Sequence, residues 1–369
     1  MPTQLLEPGT PVEGYFLQDK IGEGASGSAF AGLSPKNDDV VIKFIPLTNS
    51  WFTKEYKREV QALKRFKKVK PVVTLLDNFS YGTYGVIVME RMKMDLLDYI
   101  ELGPICVDDV QRIFFQVCTA IKAMHRTRTA HLDIKPENIF MNDVDEVKLG
   151  DFGSSFRWSR DSPEKFGVSG TTFYCAPEVK QKDSYKPAEA DIWSLGILLH
   201  VLLTGFWPYS ASSQEQLSER ISMGQTKLLV NQLPDDPSLI SLLQHMLQID
   251  PRDRPTIGEI LEHEFVTSGS SSESPRTAVP TLSLSGDDIN SSNPGIPTSC
   301  SQPNLSDLLN NIEQDKPENS EPDVAEGEFI LSPRRPKLSE KPQLRSRKKK
   351  PAHNQQRRTS WTTKHFLGR

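Results

Sequence analysis

YFLQDKI (15–21) reads as a strand, and beyond GEGASGSA (22–29), the apolar FAGL (30–33) and a polar turn, VVIKFI (40–45) reads as a second strand. The period then changes. In KEYKREVQALKRF, Tyr56, Val60, Leu63 and Phe66 recur at helical spacing, with Glu59 beside the stripe. A second helix is predicted over 107–127, where Val110, Ile113, Phe114, Val117, Ile121 and Met124 share one face. Asp108 and Asp109 stand near its start, where the helix dipole favours anions. The most apolar stretch, IWSLGILLHVLLTGFW (192–207), is interrupted by Ser194, Gly196, His200, Thr204 and Gly205. It falls short of the roughly 18 apolar residues that suggest a membrane span, so it reads as a buried core helix.

The patterning fades after residue 267. Of the 17 Phe, 8 Tyr and 5 Trp, only Phe329, Trp361 and Phe366 lie beyond that point, while the last 102 residues hold 17 Ser and 11 of the 27 Pro. Such a composition buries too little apolar surface to offset the entropy of ordering. One folded block followed by a disordered tail is therefore expected. Charge divides the chain at similar places. Residues 1–267 carry a net −7, 268–330 a net −9 and 331–369 a net +12, so the overall −4 describes no part of it. Cys106, Cys118, Cys175 and Cys300 form no CxxC pair, and the N-terminus has neither a basic start nor an apolar run. A reducing intracellular compartment fits best.

Glycines at 22, 24 and 27 sit between the first two strands, where a backbone free of side chains can approach phosphates closely. G-x-G-x-x-G alone fits a plain glycine-rich hairpin as well. A dinucleotide-binding fold would need a helix immediately afterwards, whereas a strand follows and leads to Lys43. Lys43 on a strand and Glu59 on a helix are suited to form an ion pair aimed at phosphate oxygens, with Glu55, one turn earlier, as the competing partner. Further on, AHLDIKPENIFMN (130–142) spaces Asp133, Lys135 and Asn138 as D-x-K-x-x-N, and DFG stands at 151–153.

Gly22, Gly24, Gly27, Lys43 in VVIK, Glu59, HLDIKPEN (131–138), DFG, APE (176–178), DIWSLG (191–196) and DPRDRPT (250–256) together resemble the eukaryotic protein kinase family, in order and in spacing. The resemblance covers about residues 12–267 and implies an α+β, bilobal kinase fold. A small β-rich lobe at about 12–92 and a large helical lobe at about 93–267 would follow an N-terminal extension (1–11) and precede the disordered tail (268–369), acidic over 268–330 and basic over 331–369. It implies ATP and Mg²⁺ as cofactors. Lys43 would hold the α- and β-phosphates and Glu59 would orient it, while Asn138 and Asp151 would supply hard oxygen ligands to Mg²⁺. Asp133 would accept or orient the substrate hydroxyl's proton, and Lys135 would neutralise the γ-phosphate. Around adenine the resemblance places Ile21, Ala29 and Val41 above, Phe140 as the floor, Met89 at the rear, and the backbone of Glu90 and Met92 at the base's edge. Glu178 and Arg254 resemble the family's buried ion pair, and Asp191 its anchor for the catalytic-loop backbone.

Some positions depart from the family. Leu132 stands where Arg is usual between the catalytic-loop His and Asp, and that Arg normally pairs with an activation-loop phosphate. Activity independent of activation-loop phosphorylation is therefore expected, although Ser159, Ser162 and Ser169 are available there. Ala29 and Val41 exchange the usual valine and alanine across the adenine roof, which conserves volume, and Phe140 replaces an aliphatic floor, giving a flatter slot. GTTFYCAPE (170–178), with Thr171 and Lys135, resembles serine/threonine rather than tyrosine kinases. The non-Arg loop and Phe floor also resemble Wee-type kinases, while LLTGFWPYSA (202–211) and DPRDRPT look more like the calmodulin-dependent group. A pseudokinase scaffold is the competing class, but Lys43, Asp133, Asn138 and Asp151 are all present.

Protein substrates are the implied partners, with no membrane partner. RSRKKK (345–350) and the Arg pair at 357–358 have few aromatics near them and so little stacking capacity, which argues against nucleic acid. They read equally as a nuclear import signal, recognised by an import receptor, or as a solvated tail, so the expected location is cytoplasmic with a nuclear option. Ser274, Ser332 and Ser360 resemble phosphoacceptor sites, and NLSDLLNNI (304–312) is an amphipathic island suited to folding on a partner.

Overall fold

The computed structural model describes residues 6–24, 27–144, 146–171, 173–181, 183–208, 216, 219–220 and 233–268. The readings placed on Ser274, Ser332, Ser360, 304–312 and the basic end lie outside the described residues. Strand β2 (Tyr15–Gly24) doubles back as β3 (Gly27–Leu33) and again as β4 (Asp39–Pro46). With β1 (Pro11–Val12), β5 (Leu75–Tyr81) and β6 (Tyr84–Glu90) they form a six-stranded antiparallel sheet in the order β1-β2-β3-β4-β6-β5. Pro11 pairs with Phe16, and Gly9 and Thr10 hydrogen-bond to Leu17, so the sheet edge includes part of the stretch read as an extension.

Alternation along β4 fixes what each face of the sheet does. Val40, Ile42 and Phe44 enter one apolar cluster with Val12, Leu17, Phe30, Val86 and Val88. Val41, Lys43 and Ile45 consequently point to the opposite face. There Ile45 and Ile87 pack in the core that also contains Val60, Leu63 and Phe66 of helix α1 (Ser50–Phe66). Asn49 starts that helix by accepting from the backbone N–H groups of Trp51 and Phe52, and Lys64 and Arg65 end it where cations suit the dipole.

The following part is helical, with only short strands. After β7 (Met94–Asp95) and α2 (Leu96–Glu101) comes α3 (Val107–Arg126). The loop carrying HLDIKPEN runs from β8 (Thr129–Ala130) to β9 (Ile139–Met141), and β10 (Val147–Leu149) leads to Asp151. β9 pairs with both β7 and β10, and β8 pairs with β11 (Phe156–Arg157). Helix α4 (Pro177–Gln181) is followed by α5 (Pro187–Thr204), which is apolar around its whole circumference and correspondingly buried from Ala190 to Leu202. Helices Pro237–Met246, Ile257–Glu262 and Glu264–Ser268 complete the described chain, the second started by a Thr256–Glu259 capping box. Among the described residues no helix is long and apolar enough to cross a membrane. Cys106, Cys118 and Cys175 are free thiols.

Candidate active site

Lys43 projects from β4 toward α1, and its Nζ donates to both carboxylate oxygens of Glu59 at 2.9 Å and to Oδ1 of Asp151 at 3.0 Å. Burial works against the ammonium charge, but Asp151 and then Glu59 outweigh it and hold Lys43 above its ordinary range. Burial likewise works against the Asp151 carboxylate, and Lys43 reverses the balance, holding it below the usual range. The Lys43 partner on α1 is Glu59, which is fully buried. Glu55, one turn earlier on the same face, is also buried but lies against Gly153, and its Oε2 has no hydrogen-bond partner. Asp151 adopts a left-handed φ of 53°, a strained backbone of the kind concentrated at functional sites.

Gly27 closes the turn onto this region. Its φ is +135°, and a Cβ there would lie 2.0 Å from the Phe44 carbonyl oxygen, so only glycine lets β3 approach β4 next to Lys43. The constraint differs at the other two glycines: Gly22 would place a Cβ in ordinary contact with Ala29, and Gly24 faces open space.

The Asp133 carboxylate is held by several donors. Oδ1 accepts from the Thr171 backbone N–H at 2.9 Å and from the Thr171 hydroxyl at 2.8 Å. Oδ2 accepts from the Asn138 side-chain amide at 2.9 Å and lies 3.3 Å from the Lys135 ammonium. Lys135 also donates to the Thr171 hydroxyl at 2.8 Å. Gly170 makes this approach possible: its φ is +89°, and a Cβ would stand 2.4 Å from the Leu132 carbonyl oxygen. The loop is joined to the segment of Asp151 at Gly150, which donates its N–H to the Asn138 carbonyl, while its own carbonyl meets the His131 ring at 2.9 Å.

Of the residues around the expected adenine slot, Ala29, Val41 and Met89 share the Lys43 face of the sheet, since Val41 pairs with Met89 and Ala29 with Lys43, whereas Glu90 pairs with Val40. Ile21, on β2, is 51% exposed. The Phe140 ring packs against Gly150, as a Cβ built there would fall 2.8 Å from its edge. Glu90 gives its N–H to the Thr74 carbonyl and accepts from the Thr74 N–H at 2.6 Å and from the Lys148 ammonium at 2.8 Å. Burial opposes its charge, but Lys148 and Thr74 hold it below the ordinary carboxylate range. Met92 is half-buried.

Asp191 is fully buried and accepts from the backbone N–H groups of His131 at 2.9 Å and Leu132 at 2.8 Å, fixing the loop from beneath. Its Oδ2 also meets the His125 ring at 2.9 Å. Glu178 and Arg254 form a buried bidentate pair at 2.7 and 2.8 Å, and the guanidinium also lies over Trp193. The partners missing from the sequence reading are Lys148, Thr74 and His125, which meet their acids across 58, 16 and 66 positions. No spacing signal could have found them.

The site thus combines a lysine–glutamate–aspartate cluster close to Gly27 with a carboxylate, Asp133, braced by Thr171, Asn138 and Lys135. Residues 15–266 match the protein kinase domain, and the chain belongs to this family. It is 32% identical over 263 residues to the serine/threonine protein kinase OSK3 of Oryza sativa subsp. indica, an alignment covering 69% of this chain and 50% of that one. The chain therefore spans about half the length of this curated relative.

Proposed function

We propose that this chain is a protein serine/threonine kinase that moves the γ-phosphoryl group of ATP to serine or threonine hydroxyls of protein substrates. The observation that carries this reading is Thr171, which binds Asp133 through both backbone and hydroxyl and takes a hydrogen bond from Lys135. That bracing fixes Asp133 close to the loop and suits a short aliphatic hydroxyl. The relation to a serine/threonine kinase supports the same choice.

Each residue then has a definite task. Lys43, charged and aimed by Glu59, binds the α- and β-phosphate oxygens. Asn138 spends its amide NH₂ on Asp133 and keeps its side-chain oxygen for a cation, and Asp151 adds a carboxylate. Among the described residues no cluster of three His, Cys, Asp or Glu could hold a metal by itself. Mg²⁺ suits this sparse oxygen donor set, because it completes its shell with phosphate oxygens and water; once bound it neutralises charge on the phosphates. The Asp133 oxygens are already occupied by several donors, so its role is chiefly to orient the acceptor hydroxyl, and Lys135 offsets the charge of the moving phosphoryl group. Gly24, open above, leaves room for the phosphates, with Ile21, Ala29, Val41, Met89 and Phe140 enclosing the adenine. Glu90 contributes its carbonyl to the base's edge, since its N–H is given to Thr74, and Met92 contributes backbone beside it.

Incubation with Mg-ATP and a mixture of Ser-, Thr- and Tyr-containing peptides tests the reading. Phosphate should appear on serine and threonine; label on tyrosine alone, or none from a folded chain, refutes it. Thr171→Ala is expected to lower kcat roughly ten-fold, the worth of one charge-assisted hydrogen bond, while Thr171→Ser retains activity. Leu132, buried and offering no charge, further supports independence from activation-loop phosphate. Phosphatase-treated enzyme should keep most of its activity in a steady-state assay, and near-complete loss sinks this part of the reading.

A further inference from the structure

One ion pair beside the adenine slot is not used by the chemistry above. The Lys148 ammonium, on β10, donates to both carboxylate oxygens of Glu90 at 2.8 Å, and Thr74 gives its backbone N–H to Oε1 of the same carboxylate at 2.6 Å. Both donors are set on one framework. The segment ahead of β5 runs beside β10, with the Val73 N–H donating to the Leu149 carbonyl and the Leu149 N–H to the Pro71 carbonyl, each at 3.0 Å. Lys148 also stands directly opposite Phe140 across the β9–β10 pair, so the two side chains share a face.

The hydrogen bonds between Glu90 and Thr74 depart from a regular ladder. Residues in a hydrogen-bonded antiparallel pair exchange both N–H groups for both carbonyls. Glu90 does give its N–H to the Thr74 carbonyl at 3.1 Å, but the Thr74 N–H goes to the Glu90 carboxylate instead of the Glu90 carbonyl. The side chain thus takes the donor that would otherwise occupy its own main-chain oxygen. A carboxylate folded back onto its strand gives up contact with water, and Lys148, bonding both oxygens, is the group that keeps it there. With side chains only 15% and 26% exposed, this pair is screened less than a surface pair such as Lys186–Glu189.

We propose that Lys148 is a positioning residue for the nucleotide base: by holding the Glu90 carboxylate on the Thr74 N–H, it keeps the Glu90 carbonyl available to an exocyclic amino group and so selects adenine over guanine. This role rests on the ATP reading above and explains its choice of base. Adenine presents an amino donor where guanine presents an oxygen, and a carbonyl acceptor attracts the first and repels the second. Without the ammonium, the carboxylate turns to water, the Thr74 N–H swings to the Glu90 carbonyl, and the ladder closes over the acceptor. Because Lys148 lies beside Phe140, the same side chain also links the floor of the slot to its edge.

Isothermal titration calorimetry of the full chain with the β,γ-imido analogues of ATP and GTP, each with Mg²⁺, reads the effect without phosphoryl transfer. Wild type should bind the adenine analogue roughly ten-fold tighter or better. Lys148→Met should weaken that binding roughly ten-fold, the worth of one hydrogen bond to a charged group, and bring the two analogues within about three-fold of each other. Glu90→Ala should lose the base preference in the same way, and it supplies this readout if Lys148→Met does not fold. The double variant should lose no more than Glu90→Ala alone, since Lys148 acts through Glu90. Lys186→Met, which breaks the pair with Glu189, should leave both affinities intact. A folded wild type that binds neither analogue refutes the ATP reading and the role of Lys148 together. Binding of the adenine analogue with no preference in wild type, with an unchanged preference in both single variants, or with additive losses in the double variant overturns the role of Lys148 alone.

Discussion

Lys43→Met is expected to lower phosphoryl transfer by roughly 100- to 1,000-fold, the usual cost of deleting one preorganised donor to developing charge. Two changes combine in this variant. The phosphates lose their ammonium, and Glu59, fully buried, loses the cation that compensates it while Asp151 loses its 3.0 Å partner. Arginine should not restore activity, because a planar guanidinium is larger and cannot meet Glu59 and Asp151 from the lysine's position. Glu59→Gln should fall between wild type and Lys43→Met, since Asp151 still holds the ammonium. Steady-state kinetics on the three variants, with circular dichroism to verify folding, decides this. A Lys43→Met enzyme with kcat within a few-fold of wild type contradicts the role given to the cluster.

Arg254→Met should act on stability and leave the chemistry largely alone. The Arg254 side chain is enclosed, and it pairs with Glu178 while donating to the carbonyls of Gln248 and Glu189 at 2.8 Å. Removing it strands a buried carboxylate, which costs about 3–5 kcal/mol. Replacing Glu178 with Met as well should recover only part of that, because the two carbonyls remain without their donor. Urea unfolding measures the difference. A single variant as stable as wild type shows that the pair is not needed by the fold.

The sequence spacing was informative where function and local geometry coincide. Lys43 is on a strand and Glu59 on a helix because the period changes between them, and alternation along β4 then dictates which face the lysine shares with α1. What the spacing left undecided was Glu55 against Glu59. Both lie on the buried face of α1, and only the rotation of the helix against β4 separates them. The Glu90–Lys148 pair and the His125 contact to Asp191 were illegible for another reason: each joins residues brought together by tertiary packing, with nothing in the local pattern to mark them.

The proposed transfer to serine and threonine through a site organised on Asp133 is tested most directly by label transfer from γ-labelled Mg-ATP to the peptide mixture, run side by side for wild type and Asp133→Asn. The account predicts label on serine and threonine with wild type, and transfer reduced roughly 100- to 10,000-fold in a variant that is folded and still binds nucleotide. Equal transfer by the two proteins, or none by folded wild type, contradicts it.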